Sequence, residues 1–221
     1  MKIIILHGWG QNKIFWANLS SKLGSNTSAI DMPGFGDEKT VDPNWGIPEY
    51  ASWVTNIVKN YKEVILIGHS FGGRVTTEIA SRNPKWLRAI ILSGAPCLYR
   101  PTFKTKAKIR FYKIVKNFVP KNVRSLFFTK DLISAKQKGL ENVFRNVVNY
   151  DQINQLQKIN IPTLLIWGQN DLSVPLHVAN EINNSIKNSK LEIINGASHN
   201  SFLDKPNLFY GYVKKFIESI K

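Results

Sequence analysis

Short apolar runs alternate along the chain with longer segments in which apolar residues recur every three or four positions. Most of the short runs are continuous and rich in β-branched residues, as is typical of strands buried on both faces of a parallel sheet, whereas the run at 27–30 predicts only a weak strand. They fall at residues 2–6, 27–30, 64–67, 89–92, 163–167 and 191–194. This pattern predicts a mostly parallel sheet.

The segments between these runs have apolar residues at helical spacing, with one face suited to burial. Helices are therefore predicted at residues 14–23, 50–61, 74–82, 178–186 and 206–220. In the first of them, Phe15, Leu19 and Leu23 share the apolar face. The alternation of strands and helices predicts an α/β fold with helices on both faces of the sheet.

The alternation stops over residues 99–150, where no run has the character of a strand. A helix is predicted over residues 101–120, with an apolar stripe that includes Phe111 and Phe118. We interpret residues 99–150 as a helical lid, inserted into an α/β core that comprises residues 1–98 and 151–221. Insertions at the carboxyl edge of an open sheet lie over the site where ligands bind.

Composition changes this picture little. Hydrophobic residues make up 43% of the 221 residues and aromatic residues 11%, which indicates a globular protein with a sizeable core. The longest early apolar run, residues 3–6, is too short for a signal peptide or a membrane span, so a cytoplasmic location without integral membrane association is expected. Cys97 is the only cysteine, and no cluster of Cys and His has zinc-binding spacing, so no metal or other cofactor is expected.

Charge adds one feature, a strongly basic lid. The chain carries 30 Lys and Arg against 15 Asp and Glu, a formal net charge of +15. Residues 99–150 hold 13 of the basic residues and two acidic ones, a local excess of 11. Such an excess favours an acidic partner, although the same residues would also form an ordinary solvated surface.

The strongest candidate chemistry follows the third run, where Gly68, Ser70 and Gly72 form a G-x-S-x-G motif between a strand and a helix. A serine hydroxyl is a poor nucleophile unless it is held on a tight turn beside a base, and a strand–turn–helix holds it in this way. Glycines are expected at 68 and 72 because the turn is strained and crowded. A surface loop that happens to contain serine is the alternative.

A nucleophilic serine needs a histidine base, and the chain has four histidines. His199 follows the last predicted strand and lies at the same sheet edge as Ser70, which makes it the best placed. His7 is expected to support its own loop by hydrogen bonding, His69 to point away from the hydroxyl, and His177 to lie on the surface.

The base in turn needs a carboxylate partner. Asp171 lies in the loop that leaves the penultimate predicted strand, and loops at one edge of a parallel sheet converge. Asp204 is the alternative, but it is expected to cap the final helix. Ser70, Asp171 and His199 are therefore the predicted catalytic residues.

Residues 7–10 (HGWG) follow the first strand and offer backbone donors to the same space. The N–H groups of Trp9 and Phe71 are the predicted oxyanion hole, which would stabilise negative charge on a substrate oxygen. The substrate is expected to contact the aromatic side chains of Trp9, Phe111, Phe118 and Phe127.

These motifs resemble those of α/β-hydrolase-fold serine hydrolases over the whole chain. The matching segments are HGWG at 7–10, DMPGFG at 31–36, GHSFGG at 68–73, GQNDLSVP at 168–175 and GASHNSFLDKP at 196–206. The usual N-terminal hairpin of the family is absent from this chain, so about six strands are expected. HGWG followed by Asn12 and Trp16 is most similar to esterases of the pimeloyl-carrier-protein methyl ester type.

The function predicted from the sequence is carboxylic ester hydrolysis through an acyl-enzyme, with a small-molecule ester as substrate. The alternative is a hydrolase of carrier-linked esters or thioesters that docks an acidic acyl carrier protein on the lid. Carbon–carbon bond hydrolysis is a further possibility on this scaffold. A non-catalytic nucleic-acid or membrane binder is disfavoured, because a pure binder needs no complete triad.

Overall fold

The computed structural model describes residues 1–98 and 130–220. Its sheet has six strands in the order β2-β1-β3-β4-β5-β6, and every neighbouring pair is parallel. The strands are β1 Lys2–Leu6, β2 Thr27–Ile30, β3 Val64–His69, β4 Leu87–Ser93, β5 Thr163–Gly168 and β6 Ser189–Ile194. The predicted α/β fold and strand number are confirmed.

Helices join the strands. A 3₁₀ helix covers Lys13–Trp16, and the α-helices up to β4 are α1 Ala17–Leu23, α2 Ile47–Val58 and α3 Phe71–Ser81. After β4 come α4 Lys130–Gln137, α5 Glu141–Asn149, α6 Ile153–Leu156, α7 Leu176–Ser185, α8 Ser201–Asp204 and α9 Pro206–Ser219. Within the part of the chain that the structure describes, no helix is long and apolar enough to cross a membrane.

Each strand sends alternate side chains to opposite faces of the sheet, and each face has its own apolar cluster. In β3, Leu66 belongs to the cluster beneath α2, α3 and α7, while Ile65 and Ile67 belong to the cluster beneath α1 and α9. The helices therefore cover both faces, as predicted. Because both faces are covered, the ligand-accessible part of such a sheet is its carboxyl edge.

The segment before β2 differs from its prediction. Residues 14–23 are not one helix, because a 3₁₀ turn precedes α1. Phe15 is 44% exposed, whereas Trp16 is fully buried and stacks on Phe202 at 3.8 Å between ring centroids. Trp16 takes the buried position because the 3₁₀ turn rotates the side chains relative to a continuous α-helix.

Two helices, α4 and α5, lie in the C-terminal part of the predicted lid. Their buried residues Ala135, Val143 and Val147 belong to the same apolar cluster as α2 and α3. The helix predicted over residues 101–120, together with Phe111, Phe118 and Phe127, lies outside the described residues. The division into a core and a lid at 99–150 stays a prediction.

Arg74 of α3 joins chain segments at the two ends of the predicted lid. Its guanidinium is buried and donates to the carbonyl of Pro96, at 2.6 Å, and to that of Tyr150. Gln152 adds hydrogen bonds to the carbonyls of Cys97 and Arg74, both at 2.9 Å. Residues 96–97 and 150–152 are thus held together at α3, the helix that directly follows the candidate nucleophile.

Candidate active site

Ser70 lies at the junction of β3 and α3, in a backbone conformation with φ 49°. Few non-glycine residues adopt a positive φ, and those that do are concentrated at functional sites. The crowding expected at the two glycines is present. A Cβ on Gly68 would lie 2.4 Å from Thr76 Oγ1, and one on Gly72 would lie 2.2 Å from the carbonyl oxygen of Leu6.

We expect Gly72→Ala to lower the free energy of unfolding by about 2 kcal/mol or more, because its Cβ meets backbone that cannot rotate away. Gly211→Ala is the matched control, since among the described residues a Cβ there would contact nothing within 4 Å beyond its chain neighbours and the adjacent helix backbone. In the middle of α9 that change should raise stability by about 0.5–1 kcal/mol. Urea denaturation measures both, and equal effects would contradict the crowding argument.

Asp171 and His199 form a directed pair at the carboxyl edge of the sheet. Asp171 Oδ2 lies 2.8 Å from His199 Nδ1. Asp171 Oδ1 accepts the backbone N–H groups of Ser173 and Val174, at 2.9 and 2.8 Å, which fixes the carboxylate. An ionised carboxylate only accepts hydrogen bonds, so the ring proton of His199 is on Nδ1 and the lone pair of Nε2 is free to act as a base.

Ser70 is linked to this pair indirectly, through residues 93–94 on one side and through His69 on the other. The Ser70 N–H donates to the carbonyl of Ser93 at 2.8 Å, and a Cβ on the following Gly94 would lie 3.0 Å from His199 Nδ1 and 3.4 Å from Asp171 Oδ2. On the other side, the ring of His69 lies 4.9 Å from that of His199 between centroids. These contacts bring the elbow and the Asp171–His199 pair to the same place.

His7 supports its own loop, as predicted. Its Nδ1 donates to the carbonyl of Gly8 at 2.8 Å, and its Nε2 accepts the N–H of Met32 at 3.0 Å. Burial lowers the pKa of His7. Both ring nitrogens are occupied, so this histidine has no free lone pair for catalysis. His177 is exposed on α7, as expected.

His69 is fully buried beside His199. Its Nδ1 lies 3.0 Å from the carbonyl of Ser93, and its Nε2 lies 3.2 Å from Asn200 Oδ1, so neither nitrogen is directed at the Ser70 hydroxyl. Burial, with a smaller contribution from the charge of His199, lowers the pKa of His69 to about 3. The ring is therefore neutral near pH 7 and does not repel a positive charge that develops on His199.

The HGWG loop turns back at the edge of the elbow. The N–H of Gln11 donates to the carbonyl of Gly8 at 3.1 Å, and Gly10 has φ 74°, a value that favours glycine in a tight turn. The N–H of Gly72 donates to the carbonyl of His7 at 3.1 Å, which joins this loop to α3. Within residues 1–98 and 130–220, no group accepts a hydrogen bond from the backbone N–H of Trp9 or of Phe71. Both N–H groups are therefore available to a ligand.

Trp9 contributes its side chain to an aromatic cluster above the elbow. Its ring packs edge-on against Phe35, Phe71 and Phe144, at 4.9, 5.5 and 5.0 Å between centroids. Sequence reasoning missed Phe35 and Phe144 as pocket candidates. Phe144 lies in the aromatic-rich lid, which was the available signal, whereas no linear pattern relates residues 35 and 144 to residue 9.

The role expected of Asp204 is wrong. It does not cap α9, because Lys205 is the residue before that helix and Asp204 ends α8. Its Oδ2 accepts the N–H and the hydroxyl of Ser198, at 2.7 and 2.6 Å. Asp204 therefore supports the loop that carries His199. Residues 1–98 and 130–220 contain no group of three or more His, Cys, Asp or Glu that could hold a metal ion.

The fold and these motifs define a known class of protein. The sequence profile of the Alpha/beta hydrolase family matches residues 3–210, and the chain belongs to this family.

Its relatives include a pimeloyl-[acyl-carrier protein] methyl ester esterase from Wigglesworthia glossinidia brevipalpis. The two are 30% identical, over 99% of this chain and 94% of that protein. A thermophilic esterase of known structure is 25% identical with a TM-score of 0.77, over 99% of this chain and 90% of that one. The esterase EaEST from Exiguobacterium antarcticum shares the fold, with 20% identity and a TM-score of 0.76 over 99% and 92% of the two chains. The resemblance inferred from the motifs is confirmed.

Proposed function

We propose that the protein is a serine carboxylesterase in which Ser70 is the nucleophile, His199 the base and Asp171 the residue that orients it. The observation that carries the proposal is the 2.8 Å contact between Asp171 Oδ2 and His199 Nδ1. This contact orients an imidazole near Ser70, which directly precedes α3 and has φ 49°. Family membership and the esterases among the relatives support the same reaction class.

The reaction follows from these groups. Ser70 Oγ attacks the ester carbonyl while its proton passes to His199 Nε2, and the positive charge on the ring is stabilised by Asp171. The tetrahedral oxyanion is bound by the N–H groups of Trp9 and Phe71, and each such donor contributes about 3 kcal/mol. His199 then protonates the leaving alcohol. Water attacks the acyl-enzyme by the same route and releases the acid.

The aromatic rings around Trp9 favour an ester with an apolar acyl chain. Trp9 and Phe144 are partly exposed next to the proposed oxyanion donors, and the buried rings of Phe35 and Phe71 pack against Trp9. Burial of a methylene group against such a surface contributes about 0.8 kcal/mol. Activity should therefore rise with acyl length until the pocket is filled.

A second, finer candidate is an ester attached to an acyl carrier protein. Two features favour it: the name shared by two relatives that match over 99% of this chain, and the excess of 11 positive charges over residues 99–150. Acyl carrier proteins are acidic, and complementary charges accelerate association. In this version the lid docks the carrier and the ester reaches Ser70 along the aromatic cluster.

One experiment tests both versions. Hydrolysis of p-nitrophenyl esters of graded acyl length and of a methyl ester carried on acyl carrier protein is measured from low to high salt. We expect all esters to be hydrolysed, and kcat/KM for the carrier-bound ester alone to fall about tenfold or more between 50 and 500 mM salt, because screening removes long-range attraction.

The outcomes separate the candidates. No hydrolysis of any ester contradicts the carboxylesterase, and equal salt responses contradict carrier docking while leaving the esterase intact. A carbon–carbon bond hydrolase would instead cleave a vinylogous diketone faster than every ester. A pure nucleic-acid or membrane binder would hydrolyse none of these compounds.

A further inference from the structure

We propose that Gln11 and Asn200 are positioning residues, which together hold the oxyanion loop and the histidine loop in register. Neither residue belongs to the predicted triad, oxyanion hole or substrate pocket. The inference rests on the proposed hydrolase function, because it assigns these residues a role in that reaction. It depends on one side-chain contact between positions 189 residues apart, Gln11 Nε2 to Asn200 Oδ1 at 3.0 Å.

Gln11 fixes the turn that carries Trp9. Its Oε1 accepts the N–H of Gly8 at 3.1 Å, and its own N–H donates to the carbonyl of Gly8 at 3.1 Å. Trp9 and Gly10 lie between these two hydrogen bonds. The Gln11 side chain thus adds a second hydrogen bond across the turn. The direction of the Trp9 N–H therefore depends on this side chain.

Asn200 follows His199 directly and begins the turn into α8. Its carbonyl accepts the N–H groups of Leu203 and Asp204, at 2.8 and 3.1 Å. Its side-chain Oδ1 meets Gln11 Nε2 and also lies 3.2 Å from His69 Nε2. The residue thus joins the backbone of the histidine loop to the other two loops of the site.

One backbone group sets the orientation of both amides. The Gly8 N–H needs an acceptor, so Gln11 must direct Oε1 toward it and Nε2 toward Asn200. Nε2 is a donor, so Asn200 must in turn direct Oδ1 toward Gln11. Within the pair, this is the one arrangement that satisfies both amides. The neutral ring of His69 carries one proton, so it donates either to Asn200 Oδ1 or to the carbonyl of Ser93.

The same contacts continue to the nucleophile. From Asn200 the chain of contacts passes to His69, from His69 Nδ1 to the carbonyl of Ser93, and from that carbonyl to the N–H of Ser70. All three loops of the proposed site are therefore joined behind the reacting atoms. A close contact of Gly8 supports this arrangement, since a Cβ there would lie 3.0 Å from His69 Cδ2.

The test compares near-isosteric variants in steady-state hydrolysis of p-nitrophenyl butyrate. Gln11→Met and Asn200→Leu keep size and remove hydrogen bonding. We expect each to lower kcat about 10- to 100-fold, with KM changed less than about threefold, because small displacements of reacting groups reduce rate more than binding. The kcat of the double variant should lie within about twofold of the kcat of the less active single variant, because both substitutions remove the same contact.

A conservative variant supplies the rescue. In Gln11→Glu, one carboxylate oxygen accepts the Gly8 N–H and the other accepts Asn200 Nδ2–H after the amide of Asn200 turns over. Its kcat should return to within about fivefold of the parent value, whereas a purely steric role predicts no difference between Met and Glu. If Gln11→Met fails to fold, Asn200→Ala is compared with Asn200→Leu in its place, with the same criterion on kcat and KM.

The matched control is Asn207→Ala, which removes another long-range side-chain contact. Lys22 Nζ donates to Asn207 Oδ1 at 2.7 Å between α1 and α9, on the exposed surface. The kcat of Asn207→Ala should stay within about twofold of the kcat of the parent protein. The proposal is overturned if folded Gln11→Met and Asn200→Leu both keep kcat within twofold, or if their effects multiply in full. A parent protein that hydrolyses no ester and takes up no fluorophosphonate would overturn the proposed function instead.

Discussion

Ser70→Ala is expected to abolish esterase activity, with kcat lowered about 10⁵-fold or more, while the protein stays folded. The change removes the Oγ atom alone, because alanine keeps the Cβ that already stands on a backbone with φ 49°. Nothing else in the elbow is altered. Hydrolysis of p-nitrophenyl butyrate and uptake of a fluorophosphonate, located by mass spectrometry, should both be lost.

Two further variants make this result specific. Ser81→Ala, at the other end of α3, removes a hydroxyl that donates only to the carbonyl of Glu78, and it should keep full activity. Ser70→Gly should be as inactive as Ser70→Ala but more stable by about 1 kcal/mol, since glycine accepts a positive φ without strain. If the fluorophosphonate still labels the Ser70→Ala protein, or if the labelled peptide of the parent protein does not contain residue 70, another residue is the nucleophile.

Asp171→Asn is expected to lower kcat about 10⁴-fold without unfolding the protein, through the tautomer of His199. The N–H groups of Ser173 and Val174 both need an acceptor, so the new amide must direct its oxygen toward them. Its NH₂ then faces His199 Nδ1. The histidine must accept there and carry its proton on Nε2, where it can no longer take the proton of a serine.

Asp204→Asn provides the matched control, because Asp204 is the other carboxylate that supports the histidine loop. Its Oδ2 accepts from Ser198, and an amide oxygen can replace that acceptor. We expect less than about a tenfold loss of kcat, in proportion to the small change in hydrogen bonding. Activity assays with circular dichroism on both variants decide the matter, and a larger loss in Asp204→Asn than in Asp171→Asn would reverse the assignment.

Local sequence was sufficient where a segment's own residues dictate its structure. The run at residues 2–6 is a strand with the predicted bounds, because a short continuous β-branched run suits a strand that is covered on both faces of a sheet. The weaker run at residues 27–30 is also a strand with the predicted bounds. The crowded glycines at 68 and 72 were predictable for a similar reason. A strand that turns sharply into a helix leaves no room for a Cβ, whatever the rest of the chain does.

Prediction failed where a contact between distant segments decides the outcome. Residues 14–16 form a 3₁₀ turn and bury Trp16, since its partner Phe202 comes from the other end of the chain. Asp204 binds Ser198 and does not cap α9, because the short helix α8 places it beside the histidine loop. Propensity alone has no information about either partner.

The sequence by itself determined the fold class, the strand–turn–helix that carries Ser70, and the three residues proposed for catalysis. Each is a property of a short segment or of the rule that parallel strands end at one edge. Only the tertiary structure decided which atoms meet: the direction of the Asp171 carboxylate, the neutral His69, the ring of Phe144 against Trp9, and the contact between Gln11 and Asn200. Hydrogen bonds and ring contacts depend on distances of a few tenths of an ångström, and folding sets such distances between residues that the chain itself keeps far apart.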